Sequence, residues 1–189
     1  QKLTASTALD AFTHGVESYC SKLNNSLTST YAVSGAKLIF ENLKEVIETP
    51  DNIHAREKLL YGSMLTGLAQ SMTSVGGVHA LSHTVASKIE LPHGNLNAIF
   101  LIPMIKFNMQ ESPLIVEFLQ QLGFSGIEKL EEWISRIFVN TGMIDKWGSY
   151  AKEINIDVIS VVFPETLVVT TRVLESTVFG RRYPFTTLT

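Results

Sequence analysis

Along most of the chain, apolar residues recur three and four positions apart, the spacing that gathers them on one side of a helix; they rarely alternate at the two-residue period of a strand. The first such segment ends at about Lys22 and has Leu9, Phe12, Val16 and Tyr19 on one face, with Thr4, Ser6 and Thr7 as candidate N-caps. Asn24-Asn25 closes it. A second helix is predicted over about 28–48, carrying Leu38, Ile39, Leu43, Val46 and Ile47, and Pro50 stops it because proline has no amide to donate. Asp51 is expected to cap a third, which contains Leu59, Leu60, Met64, Leu65 and Leu68. It should end before Gly76-Gly77, where glycine can adopt the backbone angles of a helix stop. A short helix bearing histidines begins there. After Pro92-His93-Gly94 an apolar helix with a kink at Pro103 is expected, followed by helices over about 113–122, 126–139, 144–153 and somewhere within 157–175. The segment 167–173 is rich in Val and Thr, but a single strand would have nothing to pair with. The pattern predicts an all-α fold, a single multi-helix bundle over residues 1–189.

Composition narrows the function classes. Hydrophobic residues make up 45% of the 189 positions and charged ones 17%, enough apolar content for a packed core and too much for a disordered chain. Fifteen Lys and Arg stand against 18 Asp and Glu, a net charge of −3, with no basic block to follow a phosphate backbone, so nucleic acid is not expected as a partner. Cys20 is the one cysteine; it can form neither an intrachain disulfide nor a cysteine-based zinc site, and a reducing, cytoplasmic setting is expected. The most apolar stretch, 96–105, is broken by Pro103 and far short of the roughly 20 residues that span a bilayer, so no membrane segment is predicted. The chain begins with Gln1 and has no basic start followed by an apolar leader, which suggests a fragment or a processed chain.

Histidine clustering changes the picture. Three of the five histidines, His79, His83 and His93, fall within GGVHALSHTVASKIELPHG. His79 and His83 are four apart and project from one face of the predicted helix, while Pro92 and Gly94 bracket His93 in a turn able to aim its ring back at that helix. Asp10 and His14, in ASTALDAFTHGVESY, are also four apart and lie away from the apolar face of the first helix. Taken alone, His79 and His83 read as readily as a polar helix face or a satisfied core pair as a metal site, and Asp10 with His14 reads as a solvated face. Together, one carboxylate and two or three imidazoles presented by two helices and a loop make the ligand set of a divalent transition metal with an open position. With Asp10 and His14 opposite the apolar face, such a metal is expected to look into an open, wet cleft.

The strings LTASTALDAFTHGVESY and VHALSHTVASKIELPHGNLNAI resemble, in order and separation, the two signature regions of the iron-containing (group III metal-dependent) alcohol dehydrogenases. The likeness extends more loosely over about 3–108, including PDNIHAREKLLYGSMLTGLA. The resemblance implies the helical C-terminal half of a two-domain, dehydroquinate-synthase-like architecture. It implies Asp10, His14, His79 and His93 as metal ligands and His83 as a non-ligand histidine near the metal that handles a proton or orders water. It further implies Fe(II) or Zn(II), NAD or NADP held through an N-terminal nucleotide-binding domain missing from this sequence, a small alcohol or aldehyde substrate, and an assembly compatible with a homo-oligomer. A cation held by one carboxylate and three neutral imidazoles keeps positive charge and polarises a carbonyl oxygen.

Departures from the pattern are equally specific. No glycine-rich phosphate loop occurs, NAIFLIP is one residue longer than the usual string, and Gln70 stands where some members carry an aromatic residue in the substrate pocket. The alternative is a stand-alone helical metal-binding or interaction protein; a dehydroquinate-synthase-like lyase fits less well because that relative has Glu where Asp10 stands. The remaining candidates have structural readings. His54 is a solvated first-turn residue, Cys20 a packing residue, and Trp133, Trp147, Phe118, Phe124 and Phe138 are core anchors of the later helices.

Overall fold

The computed structural model describes residues 1–86, 90–109 and 112–143. Over these residues every regular element is a helix: α1 (Lys2–Cys20), α2 (Ser26–Glu48), α3 (Ile53–Thr73), α4 (Gly77–Ala86), α5 (His93–Asn108), α6 (Leu114–Gln121) and α7 (Ile127–Thr141). The all-α expectation holds. The helices expected beyond residue 143, the Val- and Thr-rich segment 167–173 and Trp147 lie outside the described residues. No described helix is long and apolar enough to cross a membrane.

Local chemistry moves several predicted boundaries. Helix α1 starts at Lys2, so Thr4, Ser6 and Thr7 are not caps; the Thr7 hydroxyl bonds back to the Leu3 carbonyl from within the helix. Asn25 caps α2 in a reciprocal box: its side-chain Oδ1 accepts the amides of Leu27 and Thr28, and the Thr28 hydroxyl accepts the Asn25 backbone amide. For α3 the cap is Asn52 rather than Asp51, its side chain accepting from the Ala55 amide. The stop after α3 is made by Ser74 at φ 71°, not by the glycine pair, which opens α4 instead. Helix α5 begins on His93 itself, where the Pro92 carbonyl accepts the amides of Asn95 and Leu96, and it runs through Pro103.

Small residues decide the packing. Helices α2 and α3 cross at Gly35 and Gly62, where a Cβ on either would lie 2.7–2.8 Å from the other's carbonyl oxygen. This close crossing turns the small residues of α3 inward, so Gly62, Thr66 and Ala69 are buried beside Leu59 and Leu65, whereas Leu60, Met64 and Leu68 face outward. Helix α1 packs against α2, α3 and α5. Its buried set, which includes Ala5, Ala8, Ala11, Thr13 and Gly15 as well as Leu9, Phe12 and Val16, extends well beyond a single apolar stripe. An aromatic group joins the later helices to this centre. Trp133 on α7 lies 5.1 Å from Phe12 and 5.4 Å from Phe40 between ring centres, and Phe118 on α6 meets Tyr19 at 5.1 Å.

Candidate metal centre

Asp10, His14 and Glu17 lie four and then three residues apart on α1, so they share one stripe of that helix. The stripe meets the first turns of α4 and α5. Gly94 makes the second meeting close: a Cβ there would stand 2.1 Å from the Ser6 carbonyl oxygen, so only glycine lets α5 bring His93 this near to α1.

The result is a convergence on the Oδ1 atom of Asp10. The Nε2 atoms of His79, His93 and His14 lie 3.4, 3.8 and 3.9 Å from it. Ligand atoms of Asp10, His14 and His79 are all within 4.8 Å of one another. The rings of His14 and His79 stack with centres 4.8 Å apart, and those of His79 and His93 are 5.2 Å apart. Three helices, rather than two helices and a loop, supply these residues. The cluster is open on one side only: the His93, Asp10 and His14 side chains are 37%, 24% and 22% exposed, whereas that of His79 is 3% exposed. His83 stands apart. It is exposed, one helical turn beyond His79, and its ring stacks on that of His93 at 4.9 Å.

Two residues that the sequence reading passed over complete the site. Glu17 accepts hydrogen bonds from the backbone amides of Gly76 (2.9 Å) and Val78 (2.7 Å), and its Oε2 lies 2.6 Å from His79 Nδ1. Asn97, one turn after His93, is fully buried; its amide nitrogen lies 2.5 Å from Asp10 Oδ1 and 3.0 Å from both His79 Nε2 and His93 Nε2. Helical spacing puts both on the ligand-bearing faces, Glu17 seven residues after Asp10 and Asn97 four after His93, but that spacing by itself does not set them apart from any other polar helix residue.

Charge in the cluster is unevenly held. Burial opposes a charge on His79, but hydrogen bonds to Asp10 and Glu17 and the pull of both carboxylates outweigh it and raise its pKa to about 9. Burial depresses His14 and His93 below the ordinary imidazole value despite the attraction of Asp10. For Asp10 burial acts upward, yet the neighbouring histidines and Asn97 hold it below the usual carboxylate range. Asn97 can donate to His79 Nε2 only when that atom carries no proton.

The donor set fits a divalent metal on two counts. Four ligands bonded at about 2.0–2.2 Å stand roughly 3–3.5 Å from one another, so each histidine needs to move toward Asp10 Oδ1 by at most a few tenths of an ångström, while the ligand atoms of Asp10, His14 and His79, within 4.8 Å of one another, close by little more than about 1 Å. In addition, Asp10 Oδ1 and the neutral His93 Nε2 face the Asn97 amide nitrogen while the buried Asn97 Oδ1 has no partner, so oxygen and imidazole lone pairs converge where the protein leaves a buried polar atom unsatisfied.

Residues 4–160 match the family model described as "Fe-containing alcohol dehydrogenase family, C-terminal". The chain belongs to that family. It is 38% identical over 111 residues to the 1,3-propanediol dehydrogenase of Citrobacter freundii, a match that covers 59% of this chain and 29% of the relative. With alcohol dehydrogenase 4 of Saccharomyces cerevisiae the identity is 40% over 108 residues, covering 57% of this chain and 28% of the other. Among solved structures, sulfoacetaldehyde reductase from Bifidobacterium kashiwanohense, crystallised in complex with NAD+, superposes with a TM-score of 0.70 at 29% identity over 75% of this chain and 38% of that one. A 1,3-propanediol oxidoreductase superposes with a TM-score of 0.64 at 32% identity, covering 74% and 39%. These matches span less than a third of the curated relatives and under two fifths of the solved chains.

Proposed function

We propose that this helical domain is the metal-binding half of an NAD(P)-dependent alcohol dehydrogenase or aldehyde reductase, with Asp10, His14, His79 and His93 as ligands of one Fe(II) or Zn(II). The observation that carries this is the approach of three histidine Nε2 atoms to Asp10 Oδ1 within 3.9 Å, at the meeting of three helices. When bound, such a cation supplies Lewis acidity toward the substrate oxygen. The side chains around it have separate tasks. Asp10 supplies the negative charge that balances the cation, and its low pKa keeps that charge in place at neutral pH. His14 and His93, held neutral by burial, offer lone pairs without prior loss of a proton. His83, exposed and stacked on His93, is placed to exchange a proton with solvent while its ring stays in contact with the ligand shell.

Dinucleotide binding belongs, in this reading, to an N-terminal domain outside this sequence, because no glycine-rich turn occurs here to cradle a pyrophosphate. Hydride transfer requires the nicotinamide carbon to be held about 3–3.5 Å from the reacting carbon, which accounts for many orders of magnitude in rate. The metal-loaded chain alone is therefore expected to be inactive, and activity is expected on adding the nucleotide-binding domain. The first test is a titration with Zn(II), or with Fe(II) under anaerobic conditions. One equivalent is expected to bind, His93→Ala is expected to abolish binding, and His83→Ala to weaken it far less. Equal loss in the two variants overturns the assignment of ligand and neighbour. A wild-type chain that binds no metal overturns the proposal.

A further inference from the structure

We infer that Glu17 is the positioning residue of the site: it locks the imidazole of His79 through Nδ1 and ties that lock to the start of α4. The inference rests on the metal reading above and assigns a role to a residue outside its ligand set. Glu17 is distant from His79 in sequence, and its side chain is only 7% exposed. Its carboxylate does two jobs with one pair of oxygens. Oε1 accepts the Val78 amide, and Oε2 accepts the Gly76 amide and faces His79 Nδ1. The first two bonds satisfy amides at the N-terminus of α4 that have no partner within the helix, where a negative group is also favoured by the helix dipole. The third fixes the ring. With Nδ1–H committed to Glu17, the other nitrogen of His79 is the one turned toward Asp10 Oδ1, at 3.4 Å.

Helix capping alone would not require this geometry. A cap needs an acceptor near the first amides, and a water or a side chain of α3 or α4 could serve. Here the acceptor comes from α1, the helix that also carries Asp10 and His14, so one carboxylate sets the position of α4 relative to the two ligands of α1. Gly76 lets it approach: a Cβ at that position would lie 2.9 Å from Glu17 Oε1. A carboxylate behind a ligating histidine also raises the basicity of the ligand, and removing such a partner typically lowers metal affinity about 10–100-fold.

The test uses Glu17→Gln in the full 189-residue chain. The substitution keeps the size of the side chain and one carbonyl oxygen for the α4 amides, but places an NH2 group where an acceptor stood. Zn(II) affinity is measured by chelator competition at a temperature where circular dichroism shows both proteins folded, and the His79 Nδ1–H resonance of the zinc-loaded protein is followed by 15N-edited NMR. The expected result is a 10–100-fold loss of affinity together with an upfield shift or loss of that resonance. A purely structural cap would lower the melting temperature of the metal-free chain and leave both readouts at their wild-type values, which overturns the inference. If the wild type binds Zn(II) and Glu17→Gln binds it equally well, only the inference on Glu17 fails. If the wild type binds none, the metal reading fails and takes the inference with it.

Discussion

Gly94→Ala sets two effects against each other, and their sizes decide the sign. Gly94 is in the first turn of α5 and has no positive φ, so alanine is compatible with its backbone and by helix propensity alone should stabilise by up to about 1 kcal/mol. Against this, the new Cβ would lie 2.1 Å from the Ser6 carbonyl oxygen and 2.7 Å from the carbonyl carbon. A carbon and an oxygen in contact settle at about 3.3–3.6 Å, so α1 and α5 must part by about 1.2–1.5 Å. Ser6 meets the new atom with its backbone, which cannot rotate aside. Overpacking of this kind costs typically about 1–3 kcal/mol, so the expected net change is a loss of about 1–2 kcal/mol.

The same displacement reaches the site. His93 precedes Gly94 in sequence and Asp10 lies one turn beyond Ser6, so parting the helices moves two proposed ligands apart from a starting separation of 3.8 Å. Metal–ligand distances tolerate only about 0.2 Å, and Zn(II) affinity is expected to fall by at least about tenfold. The assay is urea unfolding of the metal-free chain, with an unchanged m-value as the check that only stability moved, followed by zinc titration of the folded protein. A variant as stable as the wild type or more so, with undiminished zinc affinity, would refute the claim that this glycine sets the approach of α5.

Two further outcomes follow from the charge distribution. His79 holds a proton in the metal-free chain up to about pH 9, and a metal must displace it, so apparent Zn(II) affinity should rise with pH, by about tenfold per unit from pH 7 and then level off near 9. Calorimetry at pH 7.5 in buffers of different ionisation enthalpy should detect about one proton released per metal, and none released would contradict the coupling. Burial pushes the Cys20 thiol up to about 12, with a contribution from nearby Glu17, so a thiol reagent at pH 8 should modify it slowly in the native chain and rapidly in urea. Equal rates in the two conditions would show that the thiol is not held in this environment.

The sequence made the helical class legible because helix-period patterns are long here and several are separated by Asn, Pro or Gly signals, such as Asn24-Asn25, Pro50 and Gly142. Boundaries were less legible where neighbouring residues compete for one role. Asp51 and Asn52 can both cap, and the choice depends on which carbonyl oxygen reaches the Ala55 amide. On α3 the apolar residues alone do not say which face is interior: the contact between Gly35 and Gly62 turns small residues inward and leaves Leu60, Met64 and Leu68 exposed, and a single-helix pattern carries no information about its partner's glycine. At the site, the ligand-type residues stood out by chemistry. Glu17 and Asn97 did not, since an isolated Glu or Asn on a helix is common, and their role appears only when α1 faces α4 and α5.

Core and site are coupled through α1. Leu9 and Ala11, on either side of Asp10, are 0% and 3% exposed, so the carboxylate is carried by backbone already fixed against other helices. A site fixed in this way faces a problem before any metal arrives, because Asp10 and Glu17 bring two carboxylates and the neighbouring histidines bring lone pairs into a partly buried space. The chain supplies its own substitutes. A proton on His79 answers the two carboxylates, and the Asn97 amide donates to Asp10 Oδ1 at 2.5 Å. Neither substitute saturates the cluster, as the unpartnered Asn97 Oδ1 shows. The arrangement is thus neutral enough to fold around and open enough to exchange: a metal displaces one proton and competes with one amide, without having to assemble the helices that hold its ligands. This division places the energetic demand of building the site on the small-residue contacts of α1, α2, α3 and α5 rather than on the metal bonds.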